Sequence, residues 1–279
     1  MALIKQKFQW IWYHDIEFGV FPDWNGRYGI RHGFSTRHGG VSKGVYESMN
    51  LGFSTKDDTE KIRTNFSRFA KAVGVNRDDL VLSDQTHETT IRIVTEKDRG
   101  SGIALPKKYE GVDGLITSIP GLPLATFHAD CSPLFFVDPV RKVVGMAHAG
   151  WRGAFAGMAA KMVQTMKNNF GSNEKNIQAG IGPAIGPCCF LVRKDVLKYA
   201  AGLPDHVTKT EKAGKDQWRL SIASIHEHFL ITEGLPMENI WHSEVCTCCE
   251  ENRLFSHRRM GEQRGNHAAI IQLEVSGMQ

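Results

Sequence analysis

Nowhere does the chain hold the roughly eighteen consecutive apolar residues that a membrane-crossing helix requires, which excludes a helical span. Residues 1–12 mix Lys5, Gln6 and Lys7 with aromatics and carry no apolar run of secretory length, so they do not read as a signal peptide. The compartment expected from these two absences is the cytoplasm. An excess of one charge is missing as well: 34 Lys and Arg against 30 Asp and Glu leave a formal charge of +4. That balance is too small and too dispersed to point to nucleic acid, though it suits a small anionic substrate. No internal repeat, low-complexity tract or Pro/Gly/Ser linker breaks the sequence, so residues 1–279 are expected to form one domain. Neither a G-x-G-x-x-G nor a G-x-x-x-x-G-K-[ST] motif occurs, which removes the common nucleotide-phosphate loops.

What is present is an ordinary globular composition with six cysteines: Cys131, Cys188, Cys189, Cys246, Cys248 and Cys249. A chain of this length buries a core without covalent staples, and vicinal cysteines do not readily bridge each other. Thiol chemistry or metal binding therefore explains them better than disulfides.

Helical spacing of Ile62, Phe66, Phe69, Ala70 and Val73 predicts a helix over 61–73, ended by Gly74. Short strands are expected at 80–83 and 90–95, with the polar link Asp84-Gln85-Thr86-His87-Glu88 between them. Three mostly apolar, buried strands follow at 122–128, 134–138 and 142–148. A Phe/Met stripe predicts one helix over 154–170, stopped by Gly171; a methionine stripe reads as core. A helix at 222–230 and a last strand at 268–275 complete an α+β outline without a strict βαβ rhythm.

Asp138-Pro139-Val140-Arg141 is a type I turn signal. If Asp138 faces Arg141, the hairpin ladder places Cys131 opposite His148. Opposed Cβ atoms in such a ladder lie about 4.5–5.5 Å apart, a gap that a zinc ion with bonds of about 2.0–2.3 Å spans. A buried free cysteine beside a packed histidine is the plain alternative.

The sequence around these two residues, Ala-Asp-Cys-Ser-Pro at 129–133 and His-Ala-Gly-Trp-Arg-Gly at 148–153, resembles a known family. So do Gly-Pro-Ala-Ile-Gly-Pro-Cys-Cys at 182–189, residues 33–42, Asn50-Leu51-Gly52, Gln85-Thr86-His87 and Phe255-Ser256-His257-Arg258-Arg259. It is the multicopper polyphenol oxidase, or laccase-domain, family, also called the FAMIN-like purine nucleoside phosphorylase or peptidoglycan editing factor family. The motifs span nearly the whole chain in the family's order.

The resemblance implies a layered α/β sandwich with mixed sheets, similar to the catalytic domain of cytotoxic-necrotising-factor toxins. It implies a metal, zinc with copper as the alternative, held by His87, Cys131 and His148. The implied activity is phosphorolysis of adenosine, inosine and methylthioadenosine, with adenosine deamination besides; the second implied role is editing of a peptidoglycan precursor. Two segments depart from the family pattern: Phe190-Leu191-Val192 replaces Tyr-Glu-Val, and Gln263-Arg264-Gly265 stands near the usual Thr-Gly-Arg.

Three protein ligands with an open position suit a catalytic metal. Acting as a Lewis acid, it would assist phosphate attacking ribose C1′ or water attacking purine C6. Asp130, beside the thiolate, is a candidate for ligand orientation or proton transfer, against a role as a turn carboxylate that caps an N–H. Arg37 and Arg258 are candidate phosphate or ribose contacts, against surface or ion-pair roles. Asn50 is either a substrate contact or a turn former, and Trp151 either stacks on a base or packs in the core. Cys246-Thr247-Cys248-Cys249 matches no common structural zinc pattern, and Cys188 and Cys189 read as structural. His226 shares a helix face with Ile222 and Phe229, so it is expected to pack. The competing class is a cysteine hydrolase with Cys131 as nucleophile and His148 as base. Laccase chemistry needs several coppers and paired H-x-H ligands, and the sequence offers that pair only at 226–228.

Overall fold

The alternating and continuous apolar runs assemble into two six-stranded sheets in a computed structural model that describes residues 8–204, 207 and 211–275. The strands in chain order are β1 (Gln9–Tyr13), β2 (Ile16–Val20), β3 (Ile30–Ser35), β4 (Val81–Leu82), β5 (Ile91–Ile93), β6 (Gly114–Thr117), β7 (Leu124–His128), β8 (Ser132–Asp138) and β9 (Val143–Ala149). They continue with β10 (Gln178–Ile181), β11 (Leu191–Val192), β12 (Glu211–Gly214), β13 (Gln217–Arg219), β14 (Ile240–His242) and β15 (His267–Leu273). One sheet runs β1-β2-β3-β15-β7-β4 and the other β14-β10-β8-β9-β6-β5, while β11, β13 and β12 form a small third sheet. Both large sheets mix parallel and antiparallel pairs. This is the expected α+β class with mixed sheets.

The two large sheets share a core in which Phe34, Leu124 and Ile271 of one meet Phe135, Val144 and Met146 of the other. Their outer faces are covered by helices. Helix α1 is the helix Thr59–Val73, whose Asp58 side chain accepts from Glu60 N at its start and whose Gly74 takes the left-handed conformation at its end. Its stripe of Ile62, Phe66 and Phe69 packs with Ile270 and Ala268 of β15. Helix α2 (Met158–Phe170) lays the fully buried Met158, Met162 and Met166 on the other sheet, with Leu230 of α3 (Ile222–Thr232) in the same cluster. Covered on both faces, β8, β9 and β15 are buried at every position. No helix among the described residues is long and apolar enough to cross a membrane.

Two expectations need correction. The helix predicted over 154–170 is two pieces, because Gly157 adopts φ 76° between a short helix Trp151–Phe155 and α2. A left-handed residue cannot continue an α-helix. The three successive buried strands are present as expected, with β7 in one sheet and β8 and β9 in the other. The hairpin register is displaced by two: Asp138 pairs with Val143 and Pro133 with His148. The turn is longer than a two-residue loop because Asp138 Oδ1 accepts from both Val140 N and Arg141 N and Lys142 takes φ 51°. An even shift leaves every side chain on its expected face.

Candidate metal centre

Residues 129–131 cross from the end of β7 in one sheet to the start of β8 in the other. Asp130 makes the crossing with φ 91°, a conformation costly for a residue with a Cβ. Its carboxylate is fully engaged: Oδ1 accepts from Thr247 Oγ1 at 2.6 Å and Oδ2 from Arg258 N at 2.6 Å. Its carbonyl accepts from Ile185 N at 2.9 Å. The crossing is thus pinned to three separate segments, and it delivers Cys131 beside the end of β9.

There Cys131 meets His148 of β9 and His87, whose ligating atoms all lie within 4.8 Å of one another. The three form a His/Cys cluster capable of coordinating a metal ion. The His87 and His148 rings stand edge to face, 4.9 Å between centroids. Gly150 lets the thiol in: a Cβ there would lie 2.7 Å from Cys131 Sγ and 3.5 Å from His87 Cδ2.

Asp113, which sequence reasoning missed, organises the centre. Fully buried just before β6, it accepts from His148 Nδ1 at 2.8 Å through Oδ1. The same carboxylate accepts from the backbone N–H groups of Thr86, His87 and Glu88 at 3.0, 3.2 and 3.0 Å. Those three bonds hold the turn in which His87 takes φ 64°. Gln85 anchors the other side of this loop on β7, donating to Phe127 O at 2.8 Å and accepting from Phe127 N at 2.6 Å. The only signal for Asp113 is the run Gly111-Val112-Asp113-Gly114 at a strand start, a pattern that marks countless turns.

In the metal-free protein these neighbours reverse the usual protonation states. Burial raises the Cys131 thiol, but His148 and His87 outweigh it and bring it down to about 6. Burial disfavours the His148 imidazolium, yet Cys131 and Asp113 hold it up to about 9. For Asp113, burial is likewise the largest influence and opposes ionisation; the bonds from His148, Thr86 and Glu88 outweigh it and keep the carboxyl below its ordinary range. His128, buried and facing His148, is pushed well down and stays neutral.

A cavity of about 700 Å³ opens over the cluster, with Phe127, Trp151 and Phe190 among its apolar walls and Arg152, Arg258 and Arg264 among its cationic ones. Arg264 brings a buried Nε with no partner among the described residues, while its Nη1 is bonded to Asn266 Oδ1. Arg258 donates to Cys189 O at 2.8 Å and lies over the Phe190 ring. Arg37 and Asn50 lie outside the lining. Arg37 donates to Glu47 O at 2.8 Å, and buried Asn50 knits Thr55, Asp57, Gly52 and Asn266 together. His226 is fully buried, with its pKa pushed by burial down to about 3, as its packing role requires.

The model of the family described as multi-copper polyphenol oxidoreductase laccase matches residues 31–274. The chain belongs to this family. Within the laccase-domain family it is 37% identical over 242 residues to the purine nucleoside phosphorylase YlmD of Geobacillus stearothermophilus, covering 86% of this chain and 88% of that one. It is 33% identical over 238 residues to the adenosine deaminase RL5 of an unknown prokaryotic organism, covering 83% and 90% of the two chains. The crystal structure of the Bacillus licheniformis hypothetical protein YfiH superposes with a TM-score of 0.88 at 35% identity, over 95% of this chain and 99% of that one.

Proposed function

We propose that this laccase-domain chain acts as a single catalytic domain in the cytoplasm, a metal-dependent purine nucleoside phosphorylase that also deaminates adenosine. Its substrates are adenosine, inosine and methylthioadenosine together with phosphate. The observation that carries the reading is the His87, Cys131 and His148 set facing a cavity of nucleoside size; the activities borne by the named relatives support it.

The donor chemistry fits zinc. Asp113 occupies His148 Nδ1, which fixes the tautomer and leaves Nε2 for a metal, the arrangement in which a carboxylate braces a histidine ligand. Two imidazoles and a thiolate make a three-ligand set, with the cavity side left for substrate. A metal held there would supply Lewis acidity toward an oxygen nucleophile. The chain's own residues do the rest. The Arg264 guanidinium, whose buried Nε has no partner among the described residues, is placed to take a phosphate oxygen, and Arg258 adds positive charge to the same cavity lining. Trp151, Phe127 and Phe190 give the purine an apolar surface and keep water from the ribose C1′. Asp130, with both oxygens engaged, is a positioning residue that fixes Cys131 and the Arg258 segment.

The deciding experiment is product analysis with adenosine and inosine, with and without phosphate. Ribose 1-phosphate and hypoxanthine should form from inosine only when phosphate is present. Equal hypoxanthine release in its absence defeats phosphorolysis.

A cysteine hydrolase acting on a peptidoglycan precursor is the second reading. It is favoured by the low Cys131 and high His148 pKa values, which make a thiolate and imidazolium pair when no metal is bound. Chelation separates the two: turnover lost on metal removal and restored by zinc supports the phosphorylase, whereas turnover that survives chelation and dies on thiol alkylation supports the hydrolase.

A further inference from the structure

Outside this cavity, a second group of thiols converges. Cys188 and Cys189 lie on the turn before β11, and Cys246 and Cys249 on the turn after β14. Their four Sγ atoms lie within 4.8 Å of one another. Cys249 Sγ stands 3.5 Å from Cys188 Sγ and 3.4 Å from Cys189 Sγ. Four sulfurs bound to one zinc at about 2.3 Å sit roughly 3.8 Å apart at the corners of a tetrahedron, so the cluster is nearly at the spacing an ion would impose. The pair Cys246 and Cys249 has the C-x-x-C spacing of such sites. Cys248, which disguises that spacing in the sequence, is not one of the four converging sulfurs and packs, as Cys189 and Cys246 also do, against the apolar cluster of Ile185, Phe190 and Ile222.

The surroundings favour a thiolate at Cys246, whereas burial and the neighbouring sulfurs keep the Cys188 and Cys189 thiols protonated until a metal displaces the protons. Gly186 N donates to Cys246 Sγ at 3.2 Å, a bond that stabilises charge on sulfur. Three guanidinium groups donate to carbonyls of the two turns: Arg219 to Cys188 O at 2.6 Å, Arg258 to Cys189 O at 2.8 Å and Arg259 to Cys248 O at 2.7 Å. A divalent ion with four thiolates keeps a net negative charge, and these arginines ring it with positive charge. The backbone already ties the turns together, Thr247 N donating to Ala184 O at 3.0 Å and Ala184 N to Val245 O at 3.2 Å. A disulfide would engage two of the sulfurs and leave the convergence of the other two without a cause.

We propose that Cys188, Cys189, Cys246 and Cys249 bind a zinc ion as a tetrathiolate site distinct from the His87, Cys131 and His148 cluster. Binding exchanges the thiol protons for the metal. The ion fixes one wall of the cavity, because Ile185, Phe190 and Arg258 of that wall lie on or are bonded to the same turns.

The test is metal stoichiometry by native mass spectrometry and elemental analysis on protein purified under reducing conditions with zinc. Wild type should carry two ions per chain and Cys131→Ala one. Cobalt(II) exchanged into Cys131→Ala should give the intense visible bands of tetrahedral tetrathiolate cobalt, and adding Cys249→Ser should remove them. A Cys131→Ala protein that is folded yet holds no zinc, or gives no thiolate-cobalt bands, overturns the proposal. So does peptide mapping that finds Cys249 in a disulfide in the wild type. Because the readout is metal in a variant without the first cluster, its failure is separate from failure of the phosphorylase reading.

Discussion

Asp113 Oδ1 accepts a 2.8 Å hydrogen bond from His148 Nδ1 while the same carboxylate collects the backbone N–H groups of residues 86–88. One buried side chain therefore sets the orientation of two of the three ligands, His148 through its ring and His87 through its backbone. Asp113 itself is not among the residues that line the cavity, although both histidines are.

Replacing Asp113 with Asn keeps the shape but removes the charge and part of the acceptor capacity. Metal affinity is expected to fall about 10- to 100-fold, the usual cost of losing a carboxylate that braces a histidine ligand. Competition against a calibrated chelator measures it. An unchanged affinity in a folded Asp113→Asn protein would show that Asp113 only holds the loop.

Gly150 offers a more surgical disruption. Its φ of −77° and ψ of −172° suit alanine, so the backbone tolerates the change. The added Cβ would nonetheless lie 2.7 Å from Cys131 Sγ, which must then swing away from the two imidazoles. Gly150→Ala should lose the metal and the turnover while its melting temperature stays within a few degrees of wild type. A fully active, metal-loaded variant would place the functional metal elsewhere.

Much of this centre was legible in the residue order. Cys131 and His148 were brought together by a hairpin argument whose register was wrong by two residues, and the result survived because the error was even. The Asx turn at Asp138 lengthened the loop in a way that a four-residue signal does not specify. Asp113 was invisible because its partners are backbone N–H groups and a ring nitrogen, contacts made by tertiary approach of β6 to the 84–88 loop. The split of β7 from β8 was equally hidden: both are apolar and buried, and nothing local says which sheet a buried strand joins. The tetracysteine cluster was masked by Cys248, whose presence turned a familiar spacing into an unfamiliar one.

Arg264 separates the two proposed reactions. Arg264 lines the cavity and its buried Nε has no partner among the described residues, while burial lowers its pKa against the pull of Asp130 and Cys131. Charge-assisted hydrogen bonds contribute about 1.5–3 kcal/mol, so Arg264→Gln should raise KM for phosphate about tenfold to a hundredfold. Deamination of adenosine, which needs no phosphate, should change far less. Parallel loss of both activities would assign Arg264 to the fold or to nucleoside binding.

Acid stability should carry the mark of buried neutral histidines. His32 and His267 are both essentially inaccessible, and burial pushes each from 6.5 down to about 3. Each uses Nε2 as an acceptor, from Phe21 N at 2.9 Å and Phe255 N at 2.7 Å, a role that a protonated ring cannot fill. With the folded pKa depressed, the unfolded chain binds more protons between pH 6.5 and 3. Their contribution is therefore complete above 6.5 and is lost as pH falls, by about 1.4 kcal/mol per pH unit for each histidine. Buried carboxylates such as Asp113 add to the same trend, so wild type alone does not isolate the effect. His32→Gln keeps a carbonyl acceptor for Phe21 N but cannot titrate. Denaturant unfolding of the two proteins at pH 6.5 and pH 5 should show a smaller acid loss in the variant, by the share of one histidine. Equal losses would mean that His32 is already charged in the folded protein.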